Sequence, residues 1–313
     1  MPNDNISADN IDNNIDKARL LKTATYASVF TAVVLIVAKS AAWLLTGSVS
    51  ILASLMDSIM DSLASLINLF AVRYSLQPAD AEHRFGHGKA EPLAGLAQAA
   101  FIGGSAIFLV LHAVDRLRFP HELEDMTVGV LVMLFAMVMT FGLLMLQRYV
   151  IRKTGSTAIR ADALHYASDL LTNASTIVAL YLSSLGWSWA DPVFAMGIAL
   201  YIFYSAFHIG FEAFELLMDR ELSSEVQAQI RAIALGHPGV YGVHDLRTRR
   251  SGQTTFVQMH LELDQTLPLE QAHAIGDAVE ADIDTFLPEA EIIIHHDPVN
   301  VAQLSLDTDE IHP

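Results

Sequence analysis

The chain has 313 residues, of which 52% are hydrophobic and only 17% are charged, and its formal net charge is −17. Because a soluble domain usually has about a quarter of its residues charged, this composition predicts an integral membrane protein. The negative charge excludes a nucleic-acid partner, since few basic residues are left to neutralise phosphates. The chain has no cysteine, so any bound metal must be held by His, Asp or Glu.

Charge is unevenly distributed along the chain. Residues 1–218 hold 13 basic and 18 acidic residues, a net charge of −5, whereas residues 219–313 hold 5 and 17, a net charge of −12. All the long apolar runs lie before residue 219. We therefore predict a disordered cytoplasmic N-terminal extension (1–20), a transmembrane domain (21–218), a cytoplasmic metal-binding domain (219–306) and a disordered tail (307–313).

Six apolar runs are each about long enough to cross the hydrocarbon core as a helix. They lie near residues 24–46, 50–74, 93–116, 126–148, 160–184 and 190–216. Lys22 precedes the first run, Arg84 follows the second and Arg152 follows the fourth, so basic residues collect on one side. The positive-inside rule then predicts a multi-pass membrane protein with both termini in the cytoplasm.

The acidic C-terminal part has the pattern of a small α+β domain. Helical periodicity and strand-forming residues alternate in the order αββαβ. The predicted elements are a helix over 223–236, strands over 243–249 and 255–263, a helix over 268–286 and a strand over 291–295. This order is typical of a two-layer, ferredoxin-like domain of the metallochaperone type.

Two apolar runs carry ionisable residues at matching spacing. The stretch LMDSIMDSLASL holds Asp57 and Asp61 one helical turn apart, and the fifth run holds His165 and Asp169 in the same spacing. Burying such groups in a bilayer costs a few kcal/mol each, so their presence in two apolar runs predicts a functional site. The alternative is that one or both runs are not membrane helices and that the acids are solvated. Three carboxylates and an imidazole suit Zn²⁺, with Fe²⁺, Co²⁺ and Cd²⁺ as close competitors. Asp162 is expected only to begin the fifth helix as an N-terminal acid.

Two further groups of possible ligands lie outside the apolar runs. Asp80, His83 and His87 share a turn-rich loop that could wrap a metal, with ordinary loop histidines as the alternative. If neighbouring strands bring their ends together, the C-terminal domain offers another site; histidines scattered over its surface are the alternative. The residues in question are His244, His260, His273, His295, His296 and Asp297.

The motifs DSIMD, HYASD, DAEHRFGHGKAE and HPGV together resemble the cation diffusion facilitator family, over nearly the whole chain after the N-terminal extension. The resemblance implies a homodimer that exchanges cytoplasmic Zn²⁺ for protons across the inner membrane. It implies a transport site of Asp57, Asp61, His165 and Asp169, a loop site of Asp80, His83 and His87, a two-metal tail site of His244, His260, His273, His295 and Asp297, and a charge pair of Lys89 and Asp219 near the dimer contact. His296 lies outside the family's ligand pattern and has no predicted role.

The predicted function is export of Zn²⁺, or of Cd²⁺ or Fe²⁺, by alternating access, with the cytoplasmic domain as a zinc sensor. Imidazole suits such coupling, because its ordinary pKa of about 6.5 lets metal and proton compete near neutrality. The alternative is a membrane-anchored metal sensor or store, but an anchor needs no ligands at mid-membrane depth. An intramembrane hydrolase would need an open metal position and a general base, as in HExxH, so we expect no enzymatic activity.

Overall fold

The computed structural model describes residues 8–47, 49–118, 127–184, 187, 190–288 and 290–300. The chain forms two compact units. The first is Ile11–Leu217, and the second is Met218–Pro313 together with Met1–Asn10. The predicted disordered tail, 307–313, lies outside the described residues, as do the first seven residues of the predicted N-terminal extension.

The first unit is a set of long helices. They are α1 (Ala8–Thr46), α2 (Val49–Ser75), α3 (Ala90–Arg118), α4 (Thr127–Thr154), α5 (Thr157–Ser184) and α6 (Ala190–Leu217). Five of the described helices contain a stretch long and apolar enough to cross a membrane, all except α5. The predicted helical transmembrane domain is therefore confirmed, and the protein is a multi-pass membrane protein.

Helix α5 is less apolar because it carries polar residues that face its neighbours. Asp162 is fully buried, His165 is 8% exposed, and Arg160 forms an ion pair with Glu212 of α6. Polar groups inside a membrane protein usually face the bundle interior rather than lipid. The lower hydropathy of α5 thus marks the helix that brings polar groups into the centre of the unit.

Helix α1 begins earlier than the sequence predicted. It starts at Ala8, whereas the first apolar run was placed near residue 24 and residues 1–20 were assigned to a disordered extension. The described part of that extension is helical instead. Each residue added to an existing helix gains a hydrogen bond without a new nucleation step, so an apolar membrane helix extends readily into the polar segment before it.

Small residues set the closest approaches between helices. A Cβ added to Gly95 of α3 would lie 3.3 Å from the backbone of Thr157 at the start of α5, and one added to Gly210 of α6 would lie 3.3 Å from Cβ of Ala99. Close backbone approach of this kind is how membrane helices gain packing contacts. These contacts hold α5 and α6 against α3.

Four helices are packed tightly at one end of the unit. At the end where α2 and α4 finish and α5 begins, Leu21, Val72, Val150 and Ile159 are all fully buried and form one apolar cluster. They come from α1, α2, α4 and α5 respectively. This packed end closes one side of the space between the four helices.

The second unit has the predicted αββαβ order, which confirms the fold class. Its elements are α7 (Ser224–Leu235), β1 (Val240–Ser251), β2 (Thr254–Asp264), α8 (Leu269–Phe286) and β3 (Ala290–Val299). The strands lie in the order β1-β2-β3, with β1 antiparallel and β3 parallel to β2. The parallel pair is joined through α8, as a parallel connection requires.

The core of this unit lies between the helices and one face of the sheet. Met259 and Leu261 of β2 are buried against Ile230 of α7 and against Val279 and Ile283 of α8. Side chains alternate between faces along a strand, so the residues between these core positions point to the opposite face of the sheet. That face carries the histidines described below.

Candidate metal centre

Helices α2 and α5 bring three of the four predicted membrane ligands together. Nε2 of His165 lies 2.9 Å from Oδ1 of Asp61. The ligand atoms of Asp61, His165 and Asp169 all lie within 4.8 Å of one another. A single ion could contact all three groups, since Zn–N and Zn–O distances are about 2 Å.

Two of these residues, Asp61 and Asp169, also line a cavity of about 170 Å³ between α1, α2, α4 and α5. Asp57, the fourth predicted ligand, lies outside the three-residue group but lines this cavity one turn from Asp61. The lining residues are Ala32, Leu35, Lys39, Ser54, Asp57, Ser58, Asp61, Ala136, Thr140, Tyr166, Asp169, Thr172 and Asn173. Along α1, α2 and α5 these positions run away from the packed end, so the cavity extends toward the other end of the bundle.

A buried carboxylate lies beside the site on its packed side. Oδ2 of Asp162 accepts hydrogen bonds from Ser28 Oγ at 2.6 Å and Gln147 Nε2 at 2.7 Å, and Oδ1 accepts one from Gln98 Nε2 at 3.2 Å. These donors come from α1, α4 and α3. The sequence predicted Asp162 as the acid that begins the fifth helix. This prediction is wrong, because α5 begins at Thr157 and the surrounding helices bury Asp162 completely.

Tyr166, next to His165, extends this polar layer. Its hydroxyl donates to the carbonyl of Ser28 at 3.2 Å and shares a hydrogen bond with Ser65 Oγ at 2.9 Å. Tyr166 is 1% exposed. Together with Asp162 it fixes the position of α5 against α1 and α2 on the side where the cavity ends.

Lys39 is a cavity residue that the sequence patterns did not single out. Its Nζ donates to Ser58 Oγ at 2.7 Å and to the carbonyl of Ser54 at 3.1 Å. The only signal in the sequence was a lone lysine inside the first apolar run. Without the packing of α1 on α2, that lysine could not be distinguished from one that reaches the membrane surface.

The three loop residues predicted as ligands lie together. Nε2 of His87 is 3.2 Å from one oxygen of Asp80, and Nδ1 of His83 is 3.4 Å from the other. The backbone N–H of His83, which donates to Asp80 at 2.6 Å, lowers the pKa of that carboxyl below its usual range. His87 is buried, and its Nδ1 has no hydrogen-bond partner among the described residues.

Strand register aligns three of the tail histidines. His244 of β1 pairs with His260 of β2, and His260 pairs with His295 of β3. Residues paired across neighbouring strands lie on the same face, so one imidazole from each strand forms a row. The ring centroids of His244 and His260 are 5.0 Å apart, and those of His260 and His295 are 4.6 Å apart.

Asp297 joins this row through both of its oxygens. Oδ2 lies 3.1 Å from Nε2 of His244 and 2.8 Å from Nδ1 of His260, whereas Oδ1 lies 3.2 Å from Nε2 of His295. The hydrogen bond with His260 lowers the pKa of the Asp297 carboxyl. One carboxylate thus faces two different sets of imidazole nitrogens, an arrangement in which it could contact two ions.

The structure does not bring His273 to this row. His273 lies on α8, the helix side of the sheet, where its Nδ1 is 3.6 Å from Asp277. His296 also points to that side, since it alternates with His295 along β3. Its Nε2 would lie 2.3 Å from a Cβ added to Gly276, so His296 fills the space that this glycine leaves. The sheet separates His273 and His296 from the four clustered residues.

Lys89 and Asp219, the predicted charge pair, each have contacts within their own unit. Nζ of Lys89 donates to the carbonyl of Leu217 at 3.3 Å. Asp219 has a positive φ of 58° and lies 3.3 Å from Nη1 of Arg249 in β1. The pairing of Lys89 with Asp219 therefore stays a prediction.

Comparison with known proteins gives a consistent family assignment. Residues 25–218 match the cation efflux transmembrane domain, and residues 222–299 match the cation efflux protein cytoplasmic domain. The chain is 53% identical to the cation-efflux pump FieF of Klebsiella pneumoniae subsp. pneumoniae over 90% of this chain and 94% of that protein. It is 50% identical to FieF of Shewanella oneidensis over 90% of this chain and 95% of that one.

Among solved structures, one of CzrB is 32% identical and covers 25% of this chain and 99% of its own, with a TM-score of 0.24. The family models and the FieF relatives are the stronger finding, because they span both units of the chain. The chain belongs to the cation diffusion facilitator family of metal-efflux transporters.

Proposed function

We propose that the protein exchanges cytoplasmic Zn²⁺ for protons across the bacterial inner membrane. The observation that carries the proposal is the group of Asp61, His165 and Asp169 inside the membrane unit. Two carboxylates and an imidazole are ligands suited to zinc. Each can bind either a metal ion or protons, which is the chemical requirement for exchange at one site.

Asp57 is proposed as the fourth ligand of the transported ion. It lines the cavity one turn from Asp61, and a side-chain rotation on α2 would bring its carboxylate toward the other three groups. Alternating access then needs α2 and α5 to open the site toward the packed end in place of the cavity end. Fe²⁺ and Cd²⁺ are further candidate substrates, because both accept mixed oxygen and nitrogen ligands.

The loop and tail clusters are proposed as resident zinc sites. The residues fit zinc chemically. Asp80, His83 and His87 offer one carboxylate and two imidazoles, and the buried Nδ1 of His87 has no hydrogen-bond partner in the part of the chain that the structure describes. In the tail, Asp297 with His244, His260 and His295 would hold one or two ions. Zinc there would supply a positive charge between ligands and so stabilise the cytoplasmic domain.

We further propose a homodimer in which tail zinc senses the cytoplasmic metal concentration. His273 lies on the helix side of the sheet. It could therefore contribute a ligand to the tail site only of a second copy of the chain. The strongly acidic C-terminal parts repel each other unless cations compensate. The proposed orientation, with both termini in the cytoplasm, would expose the tail to the metal pool that the transporter drains, and the Lys89–Asp219 pair would lie near the dimer contact.

Zinc flux in proteoliposomes with an imposed pH gradient tests this function. Zinc should accumulate in vesicles with an acidic lumen, and an internal pH indicator should report protons leaving as zinc enters. Collapse of the gradient should abolish accumulation. Zinc flux that is independent of the pH gradient would contradict proton exchange. Accumulation of another divalent ion without any accumulation of zinc would contradict zinc as the substrate.

A further inference from the structure

A lysine ammonium occupies the cavity that also contains the carboxylates. Lys39 lines the cavity together with Asp57, Asp61 and Asp169. It is held by two acceptors on α2, the hydroxyl of Ser58 at 2.7 Å and the carbonyl of Ser54 at 3.1 Å. Ser54 and Ser58 flank Asp57 on the cavity side of α2, so the ammonium is fixed beside the ligands.

Placing a lysine charge inside the cavity costs free energy unless nearby groups compensate that charge. A lysine in the outer half of a membrane helix can extend its flexible side chain to the interface. Lys39 instead turns inward from α1 and binds α2. The nearby carboxylates stabilise its charged form, and its positive charge in turn lowers the net negative charge of the cavity.

We propose that Lys39 is the fixed counter-cation of the transport cavity, which weakens the hold of the carboxylates on a divalent ion so that the ion can leave. The proposal rests on the proposed transport function of this site. Conduction through any site needs binding that is favourable enough for entry and weak enough for release. Three carboxylates without a compensating charge would retain a divalent cation too tightly, because the attraction acts in a medium less polarisable than water.

The competing explanation is that Lys39 only joins α1 to α2 by hydrogen bonds. Two substitutions separate these roles. Lys39→Gln keeps a hydrogen-bond donor but removes the charge, whereas Lys39→Met removes both and keeps the length of the side chain. Lys39→Arg keeps both the charge and the donors, and serves as the conservative variant.

The test measures zinc flux by the full-length chain in proteoliposomes, with KM and kcat determined separately. If charge is the role of Lys39, the Gln and Met variants should both show a KM for zinc lower by about tenfold or more, with a lower kcat, because one unit charge in a partly buried site is worth more than the energy of a tenfold change. Lys39→Arg should stay closest to the unchanged chain.

Two results would overturn the proposal. A Gln variant that matches the unchanged chain while the Met variant fails would assign Lys39 a hydrogen-bonding role alone. Unchanged KM and kcat in both variants would show that Lys39 affects neither binding nor release of zinc. Asp61→Asn, measured in the same way, distinguishes failure of this proposal from failure of the proposed function. Normal zinc flux in Asp61→Asn would contradict the proposed function. Loss of flux in Asp61→Asn, with unchanged flux in the Lys39 variants, would contradict only the role of Lys39.

Discussion

Nε2 of His165 lies 2.9 Å from Oδ1 of Asp61, although 104 residues separate them in the chain. The contact joins α2 to α5 at the point where the cavity meets the buried layer of Tyr166 and Asp162. A metal entering between these groups must replace their hydrogen bond. In the proposed mechanism, binding at the site is therefore coupled to the relative position of two helices, which is what alternating access requires.

Asp61→Asn should reduce zinc flux by about a hundredfold or more, because changes to residues that only support metal ligands already cost about 10 to 100-fold. Asn keeps the size of the side chain but removes the anionic oxygen that faces His165. Flux should be measured in proteoliposomes with equal amounts of protein. Asp16→Asn is the matched control, since Asp16 is 73% exposed on α1. Flux close to normal in Asp61→Asn would exclude this group as the transport site.

Asp162→Asn should destabilise the membrane unit by about 2 kcal/mol or more, because each buried donor left without an acceptor costs about 1–3 kcal/mol. The amide of Asn can accept at one oxygen only, whereas Asp162 accepts from Ser28, Gln98 and Gln147. The measurement is thermal unfolding of the protein in detergent. Asp16→Asn again provides the control, and equal melting temperatures for the two variants would contradict a structural role for the Asp162 network.

The fold was largely predictable because its signals are periodic. Apolar runs of membrane length gave the helices of the first unit, and alternation gave the strands of the second. The exceptions have physical causes. The polar start of α1 carries no hydrophobic signal. The strands extend past their predicted ends because backbone pairing, not side-chain pattern, holds residues such as Gly242 and Val299.

The candidate sites were predictable where one element carries several ligands. Asp57 and Asp61 share a helix face, and Asp80, His83 and His87 share a loop. What needed the structure were relationships across elements. Strand register places His260 between His244 and His295. Helix α8 places His273 away from them, and helix packing places Lys39 and Asp162 beside the proposed transport ligands. None of these follows from spacing along the chain.

His83→Ala combined with His87→Ala should reduce zinc flux only partly, by about tenfold, since losing ligands outside the proposed transport site resembles loss of supporting interactions, which costs about 10 to 100-fold. In the proposed mechanism, Asp80, His83 and His87 load or gate the transport site from a loop outside the membrane helices. Flux at saturating and at limiting zinc should be compared, with a larger loss expected at limiting zinc. A loss as complete as that of Asp61→Asn would make the loop an obligatory part of the path.

His244→Ala combined with Asp297→Ala should abolish the zinc-dependent approach of the two cytoplasmic domains in a dimer. The change removes one imidazole of the row and the carboxylate that contacts all three. Without zinc the acidic domains repel each other, and zinc should no longer offset this repulsion. Spin-label distances between the domains, measured with and without zinc, test this. His237→Ala is the matched control, because His237 pairs with Asp282 away from the row.

His165→Asp should weaken the preference for zinc and admit Mn²⁺. His165 contributes the only nitrogen in the group with Asp61 and Asp169, and hard oxygen ligands suit Mn²⁺ better than imidazole does. A further carboxylate beside Asp61 and Asp169 also makes the empty site more anionic, so the site should hold protons more tightly at this depth. The pH profile of transport should therefore shift together with the selectivity. Competitive flux of Zn²⁺ and Mn²⁺ over a pH series measures both, and His208→Asp, on α6 and outside the cavity lining, controls for the added charge. An unchanged selectivity ratio with an unchanged pH profile would show that His165 neither selects the metal nor carries the exchanged proton, and that the carboxylates perform both roles.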